Sequence, residues 1–199
     1  MGERHIQGLL LAGGQSTRMG TDKALLDIGG KPLVYRLVRQ LVHLTDHVTV
    51  SVGRPEREAI YRANLGELAD TVSYMSDIYP ECGPLSGLHA GLSAIGSGYV
   101  FVMACDMPRV SEELLAALKA HMAQGADVIH VKGQPFHALY HAGTAPDIEA
   151  SLKKGDLRLM GLLNGLRTIV VGPQQPNHMA TFINLNTPAE YINYISDNS

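Results

Sequence analysis

Short apolar segments rich in β-branched residues alternate along this chain with segments whose apolar residues recur at helical spacing. We predict strands at residues 6–12, 47–52, 71–75, 98–104, 126–131, 137–141 and 167–171. We predict helices at residues 32–44, 57–67, 83–95, 111–124 and 188–196. This alternation predicts an α/β fold with a largely parallel sheet. The strand at 98–104 is apolar throughout, which is typical of a central strand buried on both faces.

Length and composition favour one globular domain over residues 1–199, with a well-buried core. The net charge of −3 gives no overall basic field, so we expect no nucleic-acid partner. Two cysteines make no disulfide framework and suit a reducing cytoplasm. The start of the chain has no charged segment leading into a signal-type apolar run, and the run at 6–12 is too short to span a bilayer. We therefore expect a cytoplasmic protein without a membrane partner.

The segment at residues 9–26 reads LLLAGGQSTRMGTDKALL, an apolar run that ends in Gly13 and Gly14 and is followed by a polar loop with Arg18 and Lys23. Glycines let main-chain N–H groups approach phosphate oxygens, and Arg and Lys supply a flat fork and a mobile point charge. The segment matches neither the Walker motif nor GxGxxG. It predicts a phosphate site; a structural turn with two solvated surface charges is the alternative.

Asp106 stands where the strand at 98–104 ends. A carboxylate there can hold Mg²⁺, which takes one or two protein oxygens together with waters and substrate phosphates. Ligands of open α/β sheets bind beyond the carboxyl ends of the strands, where Gly13, Gly14 and Asp106 are all expected. The alternative is that Asp106 caps a turn before Pro108. The histidines show no zinc-ligand spacing, and Cys105 is interpreted as a small packed residue.

Two further segments carry polar groups that suit a ligand. Residues 83–87, GPLSG, lead into a predicted helix whose N-terminal amides favour anions; a plain Gly-Pro helix start is the alternative. In FINLNTP at 182–188, a strand would point Asn184 and Asn186 to one face, toward a polar ligand. The alternative is that Asn186 and Thr187 cap the helix that follows.

The loop LAGGQSTRMGTDK at 11–23 resembles the signature loop of nucleotidyltransferases with a three-layer, Rossmann-like (glycosyltransferase-A-like) α/β fold and a mostly parallel central sheet. Four further segments match in the same order: GPLSG at 83–87, CDMP at 105–108, PFHAL at 135–139 and NLNTP at 184–188. The combination resembles the molybdenum cofactor guanylyltransferase family, and it runs over nearly the whole chain.

The resemblance implies a role for each matching residue. The nucleotide-binding set is Leu11, Ala12, Gly13, Gly14, Lys23, Asp77, Gly83 and Asp106. Arg18 and Lys23 hold the phosphates, Asp106 binds Mg²⁺, and these three are the expected catalytic residues. Asp77 falls where the family has an aspartate near the nucleoside, with Asp70 as a rival.

The C-terminal part of the chain is expected to bind molybdopterin through Asn184 and Asn186, and the N-terminal part to bind the nucleotide. The implied reaction transfers GMP from GTP to the terminal phosphate of molybdopterin and releases pyrophosphate. Transient contact with molybdopterin-delivering or molybdoenzyme-maturation proteins is also implied.

Two alternatives to this reaction stay open. One is a cytidylyltransferase or sugar-phosphate nucleotidyltransferase of the same fold, and the other is a non-catalytic nucleotide-binding adaptor. Some family members carry Asn after the second strand, where this chain has Ser51-Val-Gly53-Arg54, so the base contacts remain open. The LAGG and GPLSG segments favour guanine over cytosine.

Overall fold

A computed structural model describes residues 5–14, 21–172 and 182–197. Its seven strands are β1 Gln7–Leu11, β2 Val48–Gly53, β3 Val72–Ser76, β4 Tyr99–Ala104, β5 Val128–Val131, β6 Gln134–His141 and β7 Thr168–Val171. They form one sheet in the order β3-β2-β1-β4-β6-β5-β7. Strand β6 runs antiparallel to both of its neighbours, and the other pairs are parallel. The predicted α/β fold with a mostly parallel sheet is therefore confirmed.

The helices are α1 Leu33–Leu44, α2 Arg57–Leu65, α3 Pro84–Ile95, α4 Glu112–Ala120, α5 Ala145–Lys153, α6 Leu159–Asn164 and α7 Pro188–Asp197. Buried side chains of α1, α2, α4 and α7 share one hydrophobic cluster with Leu10 of β1. Those of α3, α5 and α6 share a second cluster with Leu9. Because successive strand residues point to opposite faces, the sheet has a core on each side, which gives the predicted three layers.

Three details differ from the sequence-based prediction. Strand β6 begins at Gln134, three residues early, because it pairs with β5 across a tight turn at Gly133 before it reaches β4 at His137. Helices α5 and α6 were not predicted; α5 buries only Ala145, Ile148 and Leu152, and α6 has 6 residues, so neither leaves a long periodic pattern.

The third difference concerns the segment at 182–188, which is not a strand. One backbone hydrogen bond, from Leu185 N–H to the Asp106 carbonyl at 2.8 Å, holds it beside the sheet. The Glu190 carboxylate accepts the N–H groups of Asn186 and Thr187, both at 2.8 Å. The Thr187 hydroxyl in turn accepts the Glu190 N–H at 3.3 Å. This reciprocal capping box uses the backbone amides that a strand would have paired.

Two glycines on α3 bring that helix close to the sheet. A Cβ at Gly87 would lie 2.5 Å from the Ser51 hydroxyl oxygen, and a Cβ at Gly91 would lie 2.5 Å from Leu9 side-chain carbons. Glycine costs helix propensity, about 1 kcal/mol each relative to Ala. Close approach explains both positions, and it sets the N-terminus of α3 directly above the ends of β1 and β2. Among the described residues, every helix is too short or too polar to cross a membrane.

Candidate active site

A cavity of about 760 Å³ opens at the carboxyl ends of β1, β2 and β4. Nine of the predicted site residues line it: Leu11, Ala12, Gly13, Gly14, Lys23, Asp77, Gly83, Asp106 and Asn186. Arg18 lies outside the described residues. Asn184 is described and half-buried, but it is not among the residues that line the cavity. The sheet topology thus brings residues as far apart in sequence as Leu11 and Asn186 to the same edge of the sheet.

The glycine-rich loop begins just after β1, where the backbone of Gly13 lies very close to Gly53 at the end of β2. A Cβ at Gly13 would lie 2.4 Å from the Gly53 backbone nitrogen, and a Cβ at Gly53 would lie 2.7 Å from the Gly13 carbonyl oxygen. Gly53 also has a φ of 76°, which L side chains rarely adopt. The backbone of Gly13 therefore fills the space that a side chain at position 53 would need.

Lys23 and Asn186 meet at one end of the cavity. Lys23 Nζ donates to Asn186 Oδ1 at 2.5 Å, across 163 residues of sequence. Lys23 begins a single 3-10 turn, Lys23–Leu25, whose N-cap is Asp22. The side-chain cap of the next helix is Thr187, so Asn186 is used for the contact with Lys23 and not for capping by its side chain.

Asp106 stands beside Lys23 in the turn that follows β4. Burial raises the pKa of its carboxyl above the usual range, and the positive charge of Lys23 opposes that rise. Cys105 N–H donates to the Leu11 carbonyl at 3.1 Å, which ties this turn to the start of the glycine loop. Burial raises the pKa of the Cys105 thiol as well, so the thiol stays protonated and packs as a small hydrophobe.

The donors at Asp106 suit a hard divalent ion that keeps much of its water. Among the described residues, no group of three or more His, Cys, Asp or Glu side chains could hold a metal by itself. A single half-buried carboxylate beside a phosphate-sized space matches the way Mg²⁺ is held, by one or two protein oxygens and the substrate's own phosphates. Asp106 therefore fits a divalent metal that arrives with a nucleotide.

Asp77 lies at the other end of the cavity, after β3. Its N–H donates to the Gly53 carbonyl at 2.7 Å, and one of its carboxylate oxygens is buried without a hydrogen-bond partner among the described residues. Burial raises the pKa of Asp77 to about 6, against a smaller lowering by a hydrogen bond with Ser86. Its rival Asp70 is exposed, pairs with Arg62 at 3.3 Å and does not line the cavity. Of the two, only Asp77 lines the cavity, and its partnerless carboxylate oxygen is buried beneath the cavity surface.

A buried cluster of Asp22, Arg57 and Tyr61 supports both ends of the glycine loop, and the sequence did not indicate it. Arg57 forms a salt bridge with Asp22 and reaches the Gly14 carbonyl at 3.5 Å. The Tyr61 hydroxyl lies 2.9 Å from the Ala12 carbonyl and 3.0 Å from an Asp22 carboxylate oxygen. Burial, followed by the charge of Asp22, raises the pKa of Tyr61, so the hydroxyl keeps its proton and remains a donor. In the sequence, the cluster is visible only as Arg57 and Tyr61 spaced by one helical turn. This spacing is too common to predict the cluster.

The mouth of the cavity is formed by the predicted residue Gly83 and by side chains that were not among the predicted site residues. Arg54 and Glu81 face each other at 3.2 Å, and both side chains are mostly exposed. Phe136 adds an aromatic wall from β6. Gly83, with a φ of 67°, lets the chain turn into α3, whose first residue is Pro84. Gly83, Pro84 and Gly87 of this helix start line the same cavity as the glycine loop.

Comparisons with known proteins agree with this geometry. Residues 8–170 match the MobA-like NTP transferase domain. A molybdenum cofactor guanylyltransferase of Vibrio atlanticus is 31% identical over 193 residues, covering 94% of this chain and 93% of that protein. A probable molybdenum cofactor guanylyltransferase of Natronomonas pharaonis is 34% identical over 199 residues, with 96% of each chain covered.

Similar folds are found among solved structures. The molybdopterin-guanine dinucleotide biosynthesis protein A of Archaeoglobus fulgidus superposes with a TM-score of 0.81 at 24% identity, covering 98% of this chain and all of the other. The fold of the sheet, the position of the cavity and the sequence matches together identify the protein as a nucleotidyltransferase. The chain belongs to the MobA-like NTP transferase family, and the relatives from Vibrio atlanticus and Natronomonas pharaonis are named as molybdenum cofactor guanylyltransferases. Enzymes of this family generally use a divalent metal.

Proposed function

We propose that the protein transfers GMP from GTP to the terminal phosphate of molybdopterin, releasing pyrophosphate. The observation that carries this proposal is the meeting of Lys23, Asp106 and Asn186 beside the Leu11–Gly14 backbone, in a cavity whose far end holds Asp77. A triphosphate fits the cationic, amide-rich end, and a base or ribose with N–H or O–H donors fits the accessible part of the Asp77 carboxylate. The names of the relatives from Vibrio atlanticus and Natronomonas pharaonis support the same reaction.

The chemistry is an in-line substitution at the α-phosphorus of GTP. A terminal phosphate oxygen of molybdopterin forms the new P–O bond, and the bond from the α-phosphorus to the bridging oxygen breaks, so that pyrophosphate leaves with the electron pair. The attacking oxygen is already an anion, and no protein base is needed to remove a proton. This agrees with the cavity lining, in which no histidine is found among the described residues.

Each residue has a role in this reaction that follows from its place. The backbone of Leu11–Gly14 and the N-terminus of α3 face the phosphate chain, and Lys23 neutralises its charge while Asn186 fixes the ammonium group. Arg18 is proposed as a second phosphate cation. Asp106 would hold Mg²⁺, which supplies charge neutralisation at the phosphates when bound.

Molybdopterin is proposed to bind at the side formed by the C-terminal segment, where Asn186 enters the cavity and Asn184 lies two residues before it. Under this proposal residues 1–199 form a single nucleotidyltransferase domain, with the nucleotide bound by the N-terminal part. Cys82 and Cys105 are both free, which suits work in the cytoplasm. Proteins that deliver molybdopterin or receive the product are proposed as transient partners.

The test is pyrophosphate release from GTP, CTP and UTP, each measured with and without molybdopterin and Mg²⁺. We expect release only with GTP, molybdopterin and Mg²⁺ together. Release with CTP or with a sugar phosphate as acceptor would assign a different nucleotidyltransferase reaction, and nucleotide binding without release under all conditions would assign a non-catalytic adaptor.

A further inference from the structure

A second concave region lies outside the nucleotide cavity and carries basic side chains. It has a volume of about 640 Å³ and is formed by the turn at 28–31, helix α1, residues 108–109 and the end of α7. We call it the basic groove. Its lining residues are Ile28, Gly29, Lys31, Tyr35, Arg36, Arg39, Gln40, His43, Pro108, Arg109, Tyr194 and Ile195.

The charge of the basic groove is one-sided. Lys31, Arg36, Arg39, His43 and Arg109 line it, and no acidic residue is among the described residues that do. The protein as a whole has a net charge of −3, so this concentration of positive charge is local. None of the salt bridges between described residues uses Arg36, Arg39 or His43. Arg36 and Arg39 can therefore take up a ligand that brings negative charge from outside, although the Glu67 carboxylate also interacts electrostatically with Arg39.

The floor of the basic groove is apolar and aromatic. Tyr35 and Tyr194 are 8% and 7% exposed, and each carries a cation over its ring: Lys31 Nζ lies 4.4 Å from the Tyr35 centroid, and the Arg109 guanidinium lies 5.8 Å from that of Tyr194. Glu67, an acidic neighbour, is hydrogen-bonded to the Tyr35 hydroxyl at 2.5 Å. The cations are thus held at the rim, above a surface that suits apolar side chains.

The walls of the basic groove continue the segments that carry the active-site residues. The turn at 28–31 follows Lys23 and its 3-10 turn, Pro108 and Arg109 follow Asp106, and Tyr194 and Ile195 follow Asn186 on α7. Gln40 of α1 joins these parts, because its amide donates to the Pro108 carbonyl at 3.4 Å and accepts the Val110 N–H at 3.0 Å. The same three segments of the chain, which follow Lys23, Asp106 and Asn186, therefore contribute residues to both the groove and the cavity.

From this charge and shape we propose that the basic groove is a docking site for an acidic segment of a partner protein. The cations of the groove are spread over three segments, with Lys31 in the turn, Arg36 and Arg39 on α1, and Arg109 after β4, which suits a row of carboxylates better than one compact phosphate group. The apolar floor accepts side chains between those carboxylates. A long nucleic acid fits less well, because beyond the groove it would run over the surface of an acidic protein.

The test uses a fluorescein-labelled octaglutamate peptide and fluorescence anisotropy at low ionic strength, without nucleotide. We expect saturable binding that weakens about tenfold or more in Arg36→Glu/Arg39→Glu. The matched control is Lys153→Glu/Lys154→Glu on α5, which changes the net charge equally on exposed residues away from the groove. The control variant is expected to bind within about twofold of the wild type. Equal losses in both variants would overturn the proposal, because they would mean attraction to the net charge alone.

Two competitors decide the class of ligand. Inorganic triphosphate and a single-stranded oligothymidylate are titrated in the same assay, and tighter binding of either at the groove would replace the acidic-protein assignment. Backbone amide NMR shifts around Ile28, Gln40 and Arg109 are expected to follow the peptide titration; shifts confined to the nucleotide cavity would overturn the proposal. If charge reversal impairs folding, Arg36→Gln/Arg39→Gln provides a second, milder variant. GTP turnover of each variant, measured without peptide, shows whether the enzyme is folded.

Discussion

The two ends of the nucleotide cavity differ in how their polar groups are satisfied. At one end Lys23 is bonded to Asn186 and stands beside Asp106, and the turn that carries Asp106 is tied by backbone hydrogen bonds to β1 and to the C-terminal segment. At the other end Asp77 keeps one buried carboxylate oxygen without a partner among the described residues. The groups at the first end are preorganised to stabilise negative charge, which favours a role in catalysis. The second end contains a carboxylate whose hydrogen bonds are incomplete, which favours a role in ligand recognition.

Substitutions at the paired end should therefore lower kcat, and those at the Asp77 end should weaken nucleotide binding. The largest effect is expected for Asp106→Asn, which keeps the shape of the side chain and removes its charge. We expect kcat for GMP transfer to fall on the order of 10²- to 10³-fold, the usual cost of removing one preorganised electrostatic group. Steady-state pyrophosphate release at saturating Mg²⁺ measures it, with the exposed Asp147→Asn as control. A near-wild-type rate would remove Asp106 from the metal site.

Lys23→Ala is expected to cost on the order of 10²-fold in kcat/KM, mostly in kcat, since the ammonium group neutralises charge that grows on the leaving pyrophosphate. Asn186→Ala should cost less, about tenfold, because it removes only a hydrogen bond to that ammonium group. The same steady-state assay gives both values. An unchanged rate and GTP affinity for Lys23→Ala would contradict the phosphate role of the loop.

Asp77→Asn tests the unpaired end, where we expect an increase in KM for GTP of about tenfold with little change in kcat. Burial raises the pKa of Asp77 to about 6, so in the wild type KM should rise as pH falls through 6, when the carboxylate gains a proton and loses an acceptor. This pH dependence should disappear in Asp77→Asn. A fall in kcat at constant KM would instead place Asp77 with the chemistry.

The same substitution should stabilise the protein without ligand. The folded-state pKa of Asp77 lies above the unfolded value of 3.8, so its charged form disfavours folding; this cost is fully present above about pH 6 and absent below about pH 4. Thermal denaturation of Asp77→Asn at pH 8 should therefore give a higher Tm than the wild type, and the two should converge in acid. A lower Tm at pH 8 would mean that the carboxylate has a favourable partner in the free protein.

The smallest effect is expected for Tyr61→Phe, which removes the hydroxyl shared by Ala12 and Asp22. We expect a loss of about 1 kcal/mol in the free energy of unfolding, because one buried hydrogen bond is lost with little change in packing. The KM for GTP should rise a few-fold as the glycine loop loses one of its supports. Urea denaturation and steady-state kinetics measure the two quantities. The control is Tyr74→Phe on β3, which likewise removes a hydrogen bond to a backbone carbonyl; an equal rise in KM in both variants would deny Tyr61 a special role.

Sequence patterns predicted the parts of the site that depend on local chain geometry. A strand followed by glycines, or by an aspartate, must end at the carboxyl edge of the sheet, so Gly13, Gly14 and Asp106 were found from their neighbours alone. Asp77 needed a family resemblance, since nothing local distinguishes it from a solvated aspartate, and the FINLNTP pattern left Asn186 between a ligand contact and a helix cap. Arg57 was missed, and Phe136 was not singled out within the matching PFHAL segment, because only the strand order brings them to the cavity.

The same limit applies to the basic groove. Arg36 and Arg39 lie on the exposed, polar face of the amphipathic helix α1, and the periodicity of α1 contains no more than that. Their meeting with Arg109 depends on the turn after β4 and on Gln40, which joins that turn to α1. Charge that is scattered along a sequence becomes a surface only when the fold brings its parts together.

The close backbone contact between Gly13 and Gly53 limits how the preference for a nucleotide base could change during evolution. Two main chains touch there with no room for a Cβ on either, so a single mutation at position 53 cannot add a group that reads a different base. A lineage starting from this sequence would first have to move the backbone of Gly13 away from that of Gly53. Under the proposed function, a new base contact at position 53 and the phosphate loop that begins at Gly13 could therefore change only together.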